Sequence, residues 1–370
     1  MNILSELQIE QYTSFRECFL EYPQLTEIYN VFDRMVLNSS LGGEQESLLL
    51  TGDTGVGKTA MIDNYVARFA IKGSRWAEMP VLKTRIPSKV REQNTLERLL
   101  IDLDSRASSR RRRPYKEGAL EQGVIKSLIE KKVKLVIVNE VQELMEFKDA
   151  NERQTIANTF KMISEEAQVS FVLVGMPYAT MLAEEDQWNS RLGWKRHLSY
   201  FHLSKLSEAD KKGYIPDAEG KRHFASFVAG LAGRMGFEKR PNLTGDEILL
   251  PLFSVCRGEC RVLKHFLADA LLNALQSSKD TIDKPLLSAC FDTKYPYAKQ
   301  NPFECKLTEL KLVELKTETG SGPAAKKKKL DGSGSYNKGA QFKEDRLIGR
   351  SFTDLLPVHM LLSKTPLKAQ

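Results

Sequence analysis

Ser47-Leu48-Leu49-Leu50, then Gly52-Asp53-Thr54-Gly55-Val56-Gly57-Lys58-Thr59, then Ala60-Met61-Ile62-Asp63-Asn64-Tyr65-Val66: an apolar run leads through a glycine-rich loop into a helix-forming segment. The loop fits the G-x-x-x-x-G-K-S/T spacing, in which glycines let backbone N–H groups curl round phosphates, the lysine neutralises them and the hydroxyl holds magnesium. A strand before and a helix after are the context this motif needs, and a chance match in a turn lacks them. Gly52, Asp53, Thr54, Gly55, Val56, Gly57, Lys58 and Thr59 are therefore the first candidate residues, with ATP and Mg2+ as the ligands.

The chain around this loop has 370 residues, 41% hydrophobic and 28% charged, enough for two folded units with ordinary cores and some irregular tail. Its longest apolar runs, Leu135-Val136-Ile137-Val138 and Phe171-Val172-Leu173-Val174, are strand-sized and far below the ~20 residues of a membrane span. Met1-Asn2-Ile3-Leu4-Ser5-Glu6 lacks the basic start and apolar stretch of a secretory signal. Five scattered cysteines point to a reducing compartment, hence a cytoplasmic protein, rather than to a disulfide framework. Cys256 and Cys260 stand one helical turn apart, but no second pair at ligand spacing accompanies them, so they read as buried thiols.

Gly320-Ser321-Gly322, Pro323-Ala324-Ala325-Lys326-Lys327-Lys328-Lys329-Leu330-Asp331 and Gly332-Ser333-Gly334 read as a flexible linker, a basic peptide and a second linker. The middle part resembles a Myc-type nuclear localisation signal inserted by engineering, which would send the tagged protein to the nucleus. Without this segment the formal charge falls from +7 to +4. An insertion point of this kind suits a linker between a folded body and a terminal peptide.

Apolar, β-branched runs predict strands near 47–52, 80–86, 134–140, 170–175 and 200–206, with helix-length segments between most of them. Such alternation defines an α/β fold with a mainly parallel sheet flanked by helices. From about 207 amphipathic helices take over: Leu263, Phe266, Leu267, Ala270, Leu271, Ala274 and Leu275 form one stripe of a long helix. The expected organisation is an N-terminal helical segment (1–45), a nucleotide-binding α/β domain (46–206), a helical lid (207–300), a linker (301–319), the engineered insert (320–334) and a C-terminal tail (335–370). The tail carries the apolar cluster Phe352, Leu355, Leu356, Val358, Met360, Leu361 and Leu362. It reads as a docking peptide for a partner, the alternative being that it packs back onto its own domain.

A phosphate loop alone fits kinases, GTPases, motors and loaders, so a second acidic motif decides the chemistry. Lys134-Leu135-Val136-Ile137-Val138-Asn139-Glu140 is an apolar strand ending in a polar pair. Glu140 is the candidate general base for the water that attacks the γ-phosphate. Asn139 takes the magnesium-side position, where aspartate is usual; it keeps a carbonyl oxygen but no negative charge, which predicts weaker magnesium binding or slow turnover. The strand Ser170-Phe171-Val172-Leu173-Val174-Gly175 ends at Met176-Pro177 without a side-chain donor, whereas ATPases of the AAA+ class usually end this strand in a polar γ-phosphate sensor. Arg191 and Arg196, in Trp188-Asn189-Ser190-Arg191-Leu192-Gly193-Trp194-Lys195-Arg196-His197, are the candidates for an arginine finger that reaches a neighbouring subunit's nucleotide, the alternative being ordinary surface arginines. Arg261, in Gly258-Glu259-Cys260-Arg261, fits a G-x-x-R second sensor reaching the nucleotide from the lid, with a structural salt bridge as the alternative.

Taken from Tyr22-Pro23 to Arg261, this set resembles the TnsC/TniB family of AAA+ transposition regulators over about residues 15–300. The phrases that carry the resemblance are Gly52–Thr59, the strand ending Val174-Gly175-Met176-Pro177, and the block Lys195-Arg196-His197-Leu198 through Lys205-Leu206-Ser207. Asn139-Glu140 resembles the branch found in CRISPR-associated, Cascade-guided transposons. The resemblance implies a P-loop AAA+ ATPase with a helical lid, forming an ATP-dependent homo-oligomer, a ring or filament on double-stranded DNA. It also implies a bridge between a target-selection complex and transposase subunits, the latter contacted through the tail, with no membrane partner. Independently of it, Arg106, Arg110, Arg111, Arg112, Arg113 and Lys116 form a dense basic loop suited to sequence-independent phosphate contacts, to which Arg85, Lys89 and Arg91 add. Two other readings stay open: a nucleotide-locked scaffold with negligible hydrolysis, and an AAA+ loader resembling replication initiators.

Overall fold

The computed structural model describes residues 4–69, 78–88, 90–103, 118–147, 150–206, 214–315 and 358–362. Helix α1 (Glu6–Glu17) opens on a reciprocal cap: the Ser5 hydroxyl accepts from the Gln8 N–H, and the Gln8 side chain accepts from the Ser5 N–H. Helix α2 (Pro23–Ser40) starts with proline at its first position, where the missing N–H is no loss. There follow β1 (Ser47–Gly52), α3 (Lys58–Ala67), β2 (Val81–Arg85), α4 (Glu92–Leu103), α5 (Ala119–Glu130), β3 (Leu135–Asn139), α6 (Glu143–Phe147), α7 (Ala150–Ala167), β4 (Ser170–Gly175), a 3-10 turn (Pro177–Glu184), α8 (Asp186–Asn189) and β5 (Trp194–Leu198). The five strands form one parallel sheet in the order β2-β3-β4-β1-β5.

Side chains alternate across a strand, and this sheet uses both faces. Leu48 and Leu50 pack with Ile28, Phe32 and Met35 of α2 and with Met61, Ile62 and Tyr65 of α3. Leu49, on the opposite face, joins Leu96 and Leu99 of α4, Val124 and Leu128 of α5 and Phe160 and Ile163 of α7. Burial on both faces is why β1, β3 and β4 read as continuous apolar runs.

The fifth strand differs from the expectation. It is Trp194–Leu198, not 200–206. As an edge strand it carries Lys195 and Arg196 exposed, so its sequence holds no apolar run. The apolar residues that suggested 200–206 leave the sheet instead. Tyr200 packs with the α2 and α3 face, whereas Phe201 and Leu203 enter the core of the helical unit. Strand β6 (Ser204–Leu206) pairs antiparallel with β7 (Tyr214–Pro216), beyond the point where strands were expected to end.

The helical unit comprises α9 (Ala218–Gly233), α10 (Asp246–Cys256), α11 (Cys260–Gln276) and α12 (Lys284–Lys294). All seven stripe residues from Leu263 to Leu275 are buried in α11. Helix α1 belongs here rather than with α2, since Phe15 lies in the same core and the Gln8 and Gln11 side chains donate to the carbonyls of Leu275 (3.0 Å) and Met235 (2.7 Å). The 1–45 segment is thus split between two bodies.

Residues 301–315, expected as a linker, are packed. Phe303, Leu310 and Leu312 are buried in the helical unit, and Leu315 reaches the α2 face of the sheet. Buried Glu314 accepts from the N–H groups of Leu203 and Ser204 and from the Ser204 hydroxyl (2.6 Å), tying this strap to the junction of the two units. A last short helix, α13 (Val358–Leu361), sits on the helical unit with Val358 and Leu361 in its core. For these residues the packing-back alternative holds. Residues 320–334, expected to be an engineered insert, lie outside the described residues, as does the rest of the tail. No helix of the described residues is long and apolar enough to cross a membrane.

Candidate nucleotide site

The phosphate loop leaves β1 at the carboxyl end of the central part of the sheet and enters α3. Gly57 caps α3 with a left-handed backbone (φ 101°), and no heavy atom stands within 4 Å of where its Cβ would be. Gly55 (φ 89°) is held from the other side, because a Cβ there would lie 1.9 Å from the Glu259 carboxylate. Two left-handed glycines next to a helix N-terminus turn successive N–H groups to one side, the arrangement that cradles an anion. Lys58 Nζ donates to the carbonyls of Gly52 (2.6 Å) and Asp53 (2.9 Å), and the Tyr200 hydroxyl donates to the Thr54 carbonyl (2.9 Å). Burial pulls the Lys58 ammonium down to about 8; Glu140 and Asp53 oppose that shift and Arg261 adds to it. Thr59 stands exposed in the first turn of α3.

Strands β3 and β4 end at the same edge. Asn139 is buried at the end of β3, and Glu140 follows with a left-handed backbone (φ 60°), uncommon for a non-glycine residue. Its carboxylate accepts from the Gln142 amide, whose own oxygen accepts from the Met176 N–H (3.2 Å). Gln142 is buried, so this amide is a fixed clasp between the end of β3 and the end of β4. The Met176 thioether lies 3.6 Å from the Thr54 hydroxyl and 4.0 Å from Lys58 Nζ. The strand that lacks a polar side-chain sensor is therefore joined to Glu140 through backbone and glutamine. Sequence reading missed Gln142; its only signal is a polar residue within Val141-Gln142-Glu143-Leu144-Met145, where Val141, Leu144 and Met145 are buried.

The helical unit closes the site from above. Arg257 (φ 54°) and Gly258 (φ 89°) end α10 with a sharp turn, and a Cβ at Gly258 would lie 2.1 Å from the Phe201 carbonyl. The turn delivers the start of α11 to the phosphate loop, where the Arg261 N–H donates to the Gly55 carbonyl (3.1 Å). The Arg261 side chain is exposed and close enough to depress Lys58. Cys256 and Cys260 are free, and burial pushes both thiols up to about 12. His197 shares a hydrogen bond with the Thr51 hydroxyl (2.9 Å), and burial, then Lys58 and His202, lower its pKa.

Lys58, Glu140 and Arg261 thus come together around the loop, with Thr59 next to Lys58 in α3, while Asn139 precedes Glu140 at the end of β3. The two finger candidates do not join them. The Arg191 carbonyl accepts from the Ser47 N–H (3.0 Å) at the start of β1, roughly 17 Å from its phosphate end for a six-residue strand. Arg196 is exposed on β5, its guanidinium 5.3 Å from the Trp194 ring centre. Arg106, Arg110, Arg111, Arg112, Arg113, Lys116 and Lys89 lie outside the described residues; Arg85, at the end of β2, and Arg91, just before α4, are exposed.

A parallel sheet in this order, a phosphate loop after its interior strand β1, an acidic residue after β3 and a helical unit bonded to the loop define the AAA+ fold of P-loop ATPases. The family model described as Bacterial TniB protein matches residues 13–201. The chain belongs to the TniB family. No curated protein matches it. Among solved structures it is similar in fold to the ORC1 protein of Aeropyrum pernix in complex with DNA (14% identity, TM-score 0.52, 75% of this chain and 67% of that one). It is also similar to Cdc6p from Pyrobaculum aerophilum (12%, 0.53, 76% and 70%) and to the ADPNP-ADP complexes of A. pernix ORC2 (17%, 0.51, 75% and 70%).

Proposed function

We propose that this protein is an ATP-dependent, DNA-bound transposition regulator, which assembles on double-stranded DNA as a ring or filament and bridges a target-selection complex to a transposase. The observation that carries this reading is the hydrogen bond from Arg261 at the start of α11 to Gly55 of the phosphate loop. It couples the helical unit directly to the phosphate loop, so that nucleotide state sets the angle between the two units and hence the fit of neighbouring subunits.

The residues present fit ATP and magnesium. Gly55 and Gly57 open the cradle, Lys58 supplies the cation, and Thr59 and Asn139 offer neutral oxygens of the kind magnesium takes. Bound there, magnesium would neutralise charge on the phosphates. Glu140 polarises the attacking water, and the Gln142 clasp fixes its carboxylate. Because Asn139 adds no charge to the magnesium site, turnover is slow. Arg191 or Arg196 acts on the neighbouring subunit's nucleotide, and Arg106, Arg110–Arg113 and Lys116 contact DNA phosphates, with Arg85, Lys89 and Arg91 beside them. The segment 335–370 serves the transposase side of the bridge. Kinship to a CRISPR-associated, Cascade-guided transposon belongs to the same proposal.

Phosphate release, measured with and without duplex DNA for the parent and for Glu140→Gln, tests the reading. DNA-stimulated release that Glu140→Gln abolishes supports it. Equal, negligible release from both proteins, with assembly on DNA intact, supports the locked scaffold favoured by Asn139.

A further inference from the structure

Segment 358–362 follows the body of the protein only after 42 intervening residues, 316–357, yet it is built into the helical unit. Val358 and Leu361 are both 5% exposed, and Leu362 packs beside them. A four-residue helix has no stability of its own, since nucleation is unfavourable and isolated helices below about 12 residues are marginal. Its order therefore comes from the surface that receives it.

That surface has a polar anchor as well as an apolar one. Lys221 of α9 is buried, 7% exposed, where a lone ammonium would be costly. Asp246 at the start of α10 neutralises it (2.7 Å), and the Lys221 ammonium also donates to the carbonyl of Leu361. The last carbonyls of a helix lack intrahelical partners, so this bond satisfies a group that the segment cannot satisfy alone. Two apolar anchors at i and i+3 and one charge-assisted bond to the main chain are the elements of a helix-in-groove recognition site.

We infer that the helical unit carries a peptide dock, between α9 and the strap 307–312, whose ligand is the chain's own segment 358–362 held in cis and exchangeable. Undocked, the segment is an apolar peptide available to another protein. Docked, it is masked, and any partner of the tail must compete with Lys221 and the groove. The inference stands whether or not the proposed ATPase cycle does.

The test uses the full chain and a fluorescein-labelled synthetic peptide of residues 351–366, followed by anisotropy. Val358→Asp with Leu361→Asp removes the cis ligand, so the labelled peptide should bind this variant at least tenfold more tightly than the parent. Adding Lys221→Met should weaken that binding at least tenfold. Equal binding to parent and variant, or none to the variant, overturns the inference. Hydrogen exchange on the parent gives a second reading that does not depend on the double variant folding. The amides of 359–362 should exchange at least tenfold more slowly than in the free peptide and lose that protection in Lys221→Met; exchange at the free-peptide rate overturns the inference. Cross-links in an equimolar mixture of heavy and light copies report the occupant: links within one isotope support the cis assignment, and mixed links assign the dock to a neighbouring copy and overturn it.

Discussion

Lys58 gives one group two opposite pH dependences. Its ammonium falls from 10.5 to about 8 because burial outweighs the attraction of Glu140 and Asp53, which costs the protonated folded chain about 3 kcal/mol. Below about 8 both folded and unfolded chains hold the proton, and the folded one bears the full cost. Between about 8 and 10.5 the unfolded chain still holds the proton that the folded chain has lost, so stability from this group rises with pH. Nucleotide affinity runs the other way. Phosphates in the cradle restore the proton, and the free site is about 90% charged at pH 7 but only about 10% at pH 9, so affinity should fall about tenfold per pH unit above about 8. Equilibrium titration with a fluorescent ATP analogue from pH 7 to 9.5 measures it, alongside urea unfolding over the same range. Lys58→Arg, which stays charged, should flatten both slopes. An affinity that is level to pH 9.5 in the parent would refute the assignment of Lys58 as the buried phosphate cation.

Gln142→Leu removes the clasp on Glu140 and leaves the Met176 N–H without its partner; kcat should fall about 10- to 100-fold with KM for ATP nearly unchanged, part of the usual general-base factor. A kcat at or above the parent's refutes the positioning role. Asn139→Asp should raise the hydrolysis rate or lower the magnesium needed for half-maximal rate, and no change in either would show that Asn139 does not limit turnover. Glu314→Ala strands two backbone N–H groups and a hydroxyl in a buried junction, and should lower unfolding free energy by about 3 kcal/mol in urea; a loss under about 1 kcal/mol would mean that the strap does not hold the junction.

The sheet was legible where burial on both faces made β1, β3 and β4 continuously apolar, and α11 was legible from its stripe. β5 was not, because an edge strand with Lys195 and Arg196 in solvent has no apolar signature, and Tyr200, Phe201 and Leu203 mimicked one nearby. The strap at 301–315 was hidden for a related reason: its buried residues, Phe303, Leu310, Leu312 and Leu315, are spaced among charges with no helical or strand period. At the site, Lys58, Asn139, Glu140 and Arg261 stood out by motif spacing. Gln142 did not, since its role arises from the left-handed turn at Glu140 and the approach of β4, neither of which leaves a periodic trace. Among the described residues neither finger candidate is tied to the loop by a contact: Arg191 sits beside the start of β1, and Arg196 is exposed on the edge strand, so the choice between them was not legible in the sequence.

In the proposed function, nucleotide drives this TniB protein to assemble on DNA. Electron microscopy of the protein with ATP and duplex DNA, against the same mixture without nucleotide, tests it most directly. Rings or filaments threaded on DNA only when ATP is present are the predicted result, and dispersed monomers under both conditions would contradict it.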